Sequence, residues 1–140
     1  MTTIEDAAAI ALRLPDVSEG TRFGHRTWFV GSKKAFAWER PYSKADRKRF
    51  GDAVPPGGPI LAVSVADLGE KEAVLATYPS TFTISHFDGF PAVLIQLSKT
   101  SKRTLAELIE DAWLACAPPD LITARRSAPK PRATLRRQES

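Results

Sequence analysis

Nucleophilic catalysis needs a nucleophile, a base and a group that orients the base, all within hydrogen-bond reach. The chain offers few such residues: two histidines, His25 and His86, and one cysteine, Cys116. No Gly-x-Ser-x-Gly elbow presents a serine. His86 has the parity of Phe82 and Ile84 in a strand-like run, so it reads as a half-buried structural residue. His25 lies between Arg22 and Arg26, a cationic setting that suits an anion site better than a base. The plainer reading of His25 is an exposed loop residue. Cys116 falls on the apolar stripe of a helix, where a thiol acts as a small hydrophobe.

Other chemistries fare no better. There is no dense His/Cys set for a metal, and the acids lack calcium-loop spacing. The run Pro55-Pro56-Gly57-Gly58-Pro59 lacks the Gly-Lys-Ser/Thr end of a phosphate loop, and its prolines remove amide donors. The expectation is a non-enzymatic protein with no catalytic residue, no metal and no cofactor.

The basic residues are more informative. The chain has 140 residues, a net charge of +4 and 20 Lys plus Arg against 16 Asp plus Glu. Residues 124–140 hold six of the basic residues and one acid, so they carry +5 and leave −1 for residues 1–123. That division, with Pro129, Pro131 and little apolar mass, predicts one folded domain over 1–123 and a basic, disordered tail over 124–140. Within the domain, Lys33 to Arg49 carries seven basic residues against two acids, Glu39 and Asp46. One reading is a solvated, charge-rich loop. The other is a phosphate-contacting surface built from Arg22, Arg26, Lys33, Lys34, Arg40, Lys44, Arg47, Lys48 and Arg49, with DNA as the partner. The basic hairpin with its aromatics would then act as a wing on the nucleic-acid backbone. A third possibility is a protein- or small-ligand-binding module, with Trp28, Trp38 or Phe90 exposed on a sheet face.

The elements that must position these residues follow from periodicity. A helix over about 3–14 has a capping box from Thr2 and Glu5, or Thr3 and Asp6, and stops at Pro15. Strands are expected over 26–30 and 34–40, joined by a tight Gly31-Ser32 turn, and over 60–65. The link from Pro41 to Pro59 reads as irregular. A second helix starts at Asp67 with Glu70 and closes before Pro79. A hairpin spans 81–97 with Asp88-Gly89 in its turn, and Val93, Ile95 and Leu97 share a face. Leu105, Leu108, Ile109, Ala112, Trp113 and Cys116 define the face of a third helix, which ends at Pro118-Pro119. Asp120 can cap one further short turn. The order α-β-β-β-α-β-β-α predicts a two-layer α+β fold: a five-stranded antiparallel sheet with helices on one face. A hydrophobic share of 43% supports a folded core. One cysteine excludes an internal disulfide framework. No apolar run reaches a membrane span, and the acidic, Arg13-interrupted start is unlike a secretory signal. A cytoplasmic protein without membrane contact is expected.

These elements and motifs resemble the MmcQ/YjbR-like family, in the branch common in high-GC bacteria. The resemblance rests on Leu14-Pro15-Asp16-Val17, Phe23-Gly24, the run Gly31 to Trp38, His86-Phe87-Asp88-Gly89-Phe90-Pro91 and Asp111-Ala112-Trp113. It covers about residues 4–123. It implies a two-layer fold with an antiparallel sheet and the family label "DNA-binding", which follows likeness to double-wing DNA-binding domains. It implies no catalytic residues. Many relatives carry a lysine after the third strand, where this chain has Ser64-Val65-Ala66, and Lys-x-x-Trp or His-Trp before the last, where it has Phe90-Pro91.

Overall fold

In the computed structural model, which describes residues 1–32 and 34–127, the chain runs α1 (Ile4–Leu12), β1 (Val17–Arg22), β2 (His25–Val30), β3 (Lys34–Glu39), α2 (Lys44–Phe50), β4 (Ile60–Ser64), α3 (Leu68–Thr77), β5 (Thr81–Phe82), β6 (Ala92–Gln96), α4 (Lys102–Cys116) and α5 (Pro119–Ser127). Short 3₁₀ turns occupy Ser85–Phe87 and Leu97–Lys99. The sheet order is β1-β2-β3-β4-β6-β5, with antiparallel pairing throughout. The α+β class is as expected, but the sheet has six strands rather than five.

The added strand is β1. Its residues are mostly polar and exposed, so it lacks the apolar alternation that marks a strand. Pairing holds it to β2, from Val17 opposite Val30 to Arg22 opposite His25, and Glu19 adds side-chain bonds to Arg26 and Trp28. Gly20 belongs there because the Phe29 ring lies over it: a Cβ would sit 3.1 Å from the ring edge.

Alternating side chains divide the sheet between two cores. One face carries Trp28, Val30, Leu61, Val63, Val93 and Ile95 against α1 and α4. The other carries Ile60, Ala62, Ala92 and Leu94, joined by Ile84 and Phe87. Helices therefore do not lie on one face only, since Tyr42 and Phe50, flanking and ending α2, pack on the second cluster. A bulge makes β3 serve both. Trp28 pairs with Ala37 and Phe29 with Ala35, leaving Phe36 as the extra residue. Phe36 and Ala37 consequently both enter the first core, and Trp38 turns to the second.

Three further expectations change. The 41–59 link is not wholly irregular, because α2 forms inside it. The 81–97 segment is not a regular hairpin. After Phe82 the chain leaves the sheet so that Ile84 and Phe87 can bury, and only Thr81 and Phe82 pair with β6. Lys71 in α3 fixes this detour: its buried ammonium donates to the carbonyls of Phe87 at 2.6 Å and Phe90 at 2.9 Å. Finally, α5 crosses the expected domain limit at 123. Arg125 donates to Glu110 at 3.0 and 3.1 Å and stacks on Trp113, with its guanidinium carbon 5.7 Å from the ring centre. Residues 124–127 thus belong to the folded body, and the rest of the expected tail lies outside the described residues.

Candidate nucleic-acid interface

The best-built cationic group is on α2. Ser43 caps this helix: its hydroxyl accepts from the Asp46 backbone N–H, and the Asp46 carboxylate accepts from the Ser43 N–H at 2.9 Å. The same carboxylate meets Arg40 at 2.9 Å and Arg49 at 3.4 Å. Asp46 is 2% exposed, so one buried anion fixes the helix start and two guanidiniums together. Burial pushes its carboxyl up, but the Ser43 N–H, the Arg40 guanidinium and the Ser43 hydroxyl outweigh that and hold it below its ordinary value. Arg40 also lies over the Phe87 ring at 5.6 Å, and Arg47 over Tyr42 at 5.7 Å.

Lys44, Arg47 and Lys48 stand at helical spacing of three and four, so they share one face, and all three are exposed. Tyr42 supports that face. Its ring packs edge-on to Phe50 with centroids 5.4 Å apart, and its hydroxyl donates to the Pro56 carbonyl at 2.7 Å. This tie holds the returning loop against the helix.

Register sorts the remaining candidates. Arg22 and His25 pair across β1 and β2, in phase with Gly20 opposite Thr27 and with Thr27 opposite Trp38. They therefore lie on the α2 side of the sheet. They are also at its α2 end, since the Arg26 N–H donates to Glu39, the last residue before Arg40, at 3.0 Å. Arg26 faces the other way. It meets Glu5 at 2.6 Å and Glu19 at 2.8 Å, and lies over Trp28 at 5.5 Å. Hydrogen bonding to Glu19, then Glu5, holds it firmly protonated. Its charge is spent inside the protein, and it leaves the candidate surface. Lys34 is exposed but pairs with Val30, on the α1 and α4 side at the far end. Lys33 lies outside the described residues. The structure thus brings together Arg40, Lys44, Arg47, Lys48 and Arg49, places Arg22 on the same side and end of the sheet, and separates Arg26 and Lys34 from them.

The other chemistry-bearing residues also find their places. His86 is exposed in the 3₁₀ turn rather than half-buried in a strand. His25 is a half-buried strand residue, not an exposed loop one. Cys116 is half-buried, with its sulfur 3.9 Å from the Ala35 carbonyl. Trp28 is fully buried and its indole N–H donates to Glu19 at 3.1 Å, so it cannot belong to an exposed aromatic face. Trp38 is half-buried, while Phe90 is substantially exposed and rests edge-on against Phe87. Among the described residues, no helix is long and apolar enough to cross a membrane.

The fold and surface define a small α+β protein with a two-sided antiparallel sheet and a basic helix at one end. Residues 12–115 match the YjbR family, and the chain belongs to it. The chain is 44% identical over 127 residues to the uncharacterized protein Mb2600 of Mycobacterium bovis and to Rv2570 of Mycobacterium tuberculosis, covering 89% of this chain and 95% of each relative. The crystal structure of Deinococcus radiodurans protein DR2400, which carries a DUF419 domain, shares the fold with a TM-score of 0.57 and 18% identity. That match covers 94% of this chain and 85% of the other.

Proposed function

We propose that this protein is a non-catalytic, cytoplasmic nucleic-acid-binding protein that grips phosphates without reading sequence. The observation that carries this reading is the exposed Lys44, Arg47 and Lys48 face of α2, set by a buried Asp46 that also positions Arg40 and Arg49. Arg and Lys on a rigid element neutralise phosphates and release counterions, so affinity falls steeply with salt. The expected partner is DNA, with any basic residues beyond 127 adding sequence-independent attraction.

The test is fluorescence anisotropy on labelled duplex DNA across about 50 to 200 mM salt. Two full-length variants separate body from tail: K44Q/R47Q/K48Q, and K130Q/R132Q/R136Q/R137Q. If all three α2 cations meet phosphates, the first variant lowers the salt slope by about 2.7, at roughly 0.9 per contact. The second variant retains a salt-dependent residue of binding. An unchanged slope in the α2 variant, or complete loss in the tail variant, refutes the proposal.

A further inference from the structure

The β1–β2 connection is a two-residue turn at Phe23-Gly24, with φ of +53 and +79. Two positive φ values mark the hairpin turn whose twist matches the flanking strands, and Asn-Gly suits it best. Phenylalanine suits it badly, because its Cβ crowds the backbone in the left-handed region. The strain is not offset by burial, for Phe23 is 94% exposed. A strained, outward-pointing ring at the tip of a ribbon is a feature of the kind found at functional sites.

Its surroundings specify the partner. Arg22 and His25 pair directly behind the tip, on the side and end of the sheet that carry α2. Arg22 is itself steadied over the Phe29 ring at 5.9 Å. The tip's neighbours Thr21, Arg22 and His25 are polar and Gly24 has no side chain, so the tip offers a single apolar ring. A single ring makes no broad apolar face for a lipid surface, but it matches one base. A wedge into a duplex must first unstack a base step, and that calls for extensive wrapped surface in return. An unpaired base presents its face without that step.

We infer that Phe23 is a base-stacking finger: it lays its ring on an unpaired base while Arg22 behind it meets the adjoining phosphate. This rests on the nucleic-acid reading above and adds a preference for single strands.

The test uses the full chain with a labelled oligo(dT) strand and a duplex of equal length, in a salt series. The variant is Phe23→Asn, which favours the turn and so keeps the fold; its melting temperature serves as the control. Single-strand affinity should fall about tenfold, the loss of one base stack, and Phe23→Trp should restore it. The salt slope should not move, because no charge is removed. Duplex affinity should change less than about twofold, since paired bases offer no free face to the ring. Wild-type affinity of Phe23→Asn for oligo(dT), or an equal loss on the duplex, overturns the inference while leaving the phosphate reading intact. Absence of salt-dependent binding by the wild-type protein to either probe overturns both.

Discussion

Asp46→Ala is the sharpest perturbation of this fold, because one side chain joins α2, Arg40 and Arg49. The substitution removes one arm of the cap to Ser43, worth about 1 kcal/mol. It also removes the carboxylate bonded to Arg40, whose side chain is only 16% exposed; a hydrogen bond to a charged group at such a site contributes about 2 kcal/mol. Arg49 is nearly half exposed, so its pair adds no more than about 0.5 kcal/mol. The loss should be about 3 kcal/mol, a fall in melting temperature of roughly 6 to 12 °C for a chain of this size. Urea unfolding followed by tryptophan fluorescence measures it.

The same carboxylate sets a pH signature. Its folded-state pKa is depressed, so the unfolded chain binds the proton more readily. The stabilisation is complete above the unfolded value near 3.8 and is lost as pH falls through the folded one. The advantage of the wild-type protein over Asp46→Asn should therefore be constant at neutral pH and shrink below about pH 4. A loss under about 1 kcal/mol for Asp46→Ala, or an advantage independent of pH, refutes the assignment of Asp46 as the anchor of the site.

Two other changes probe what holds the surface in place. Lys71→Met leaves two buried carbonyls without their donor and should cost about 2–3 kcal/mol in the same urea assay. Burial depresses the Lys71 pKa, with Asp88 opposing, so the unfolded chain holds more protons between the two values. Stability from this group rises with pH across that alkaline interval, and Lys71→Met should abolish that increment. Gly31→Ala forces a side chain to φ +61 and sets its Cβ 3.0 Å from Pro118, for about 2 kcal/mol or more, whereas Gly24→Ala at φ +79 meets nothing within 4 Å and should cost about 1 kcal/mol. Equal losses for the two glycines would remove the Pro118 contact from the account.

What the sequence disclosed follows from how local each feature is. The stripe on α4 was legible because five of its six residues are buried in one helix repeating at one period. Val93, Ile95 and Leu97 were legible for the same reason at a period of two. The features that were not legible have causes outside their own residues. β1 is held by pairing, and its Gly20 makes sense only beneath Phe29. The β3 bulge shifts parity, so Phe36 and Trp38 enter different cores despite standing two apart. The chain after Phe82 obeys Lys71, which is distant in sequence. α2 is different, since Ser43-x-x-Asp46 is a capping pattern inside a charged run and did announce a helix start. The surrounding prolines and glycines masked it.

The candidate site divides along the same line. Charge counting finds the basic residues but not their partners. Arg26 and Arg22 are four apart in sequence, yet the first is neutralised by Glu5 and Glu19 on the α1 side. The second lies on the opposite side. This sorting matters because the folded body, residues 1–127, carries a net charge near +1. A body so nearly neutral exerts little long-range pull on a polyanion, and beyond about 10 Å salt screens what remains. On the proposed reading, attraction then comes from local contacts at the end bearing α2 and the β1–β2 tip. Contacts confined to one end orient the protein on its partner, because turning it over presents the paired Arg26 and its two carboxylates instead. The same confinement limits the number of phosphates engaged, so binding by the body should be weak, with a modest salt slope set by those few contacts.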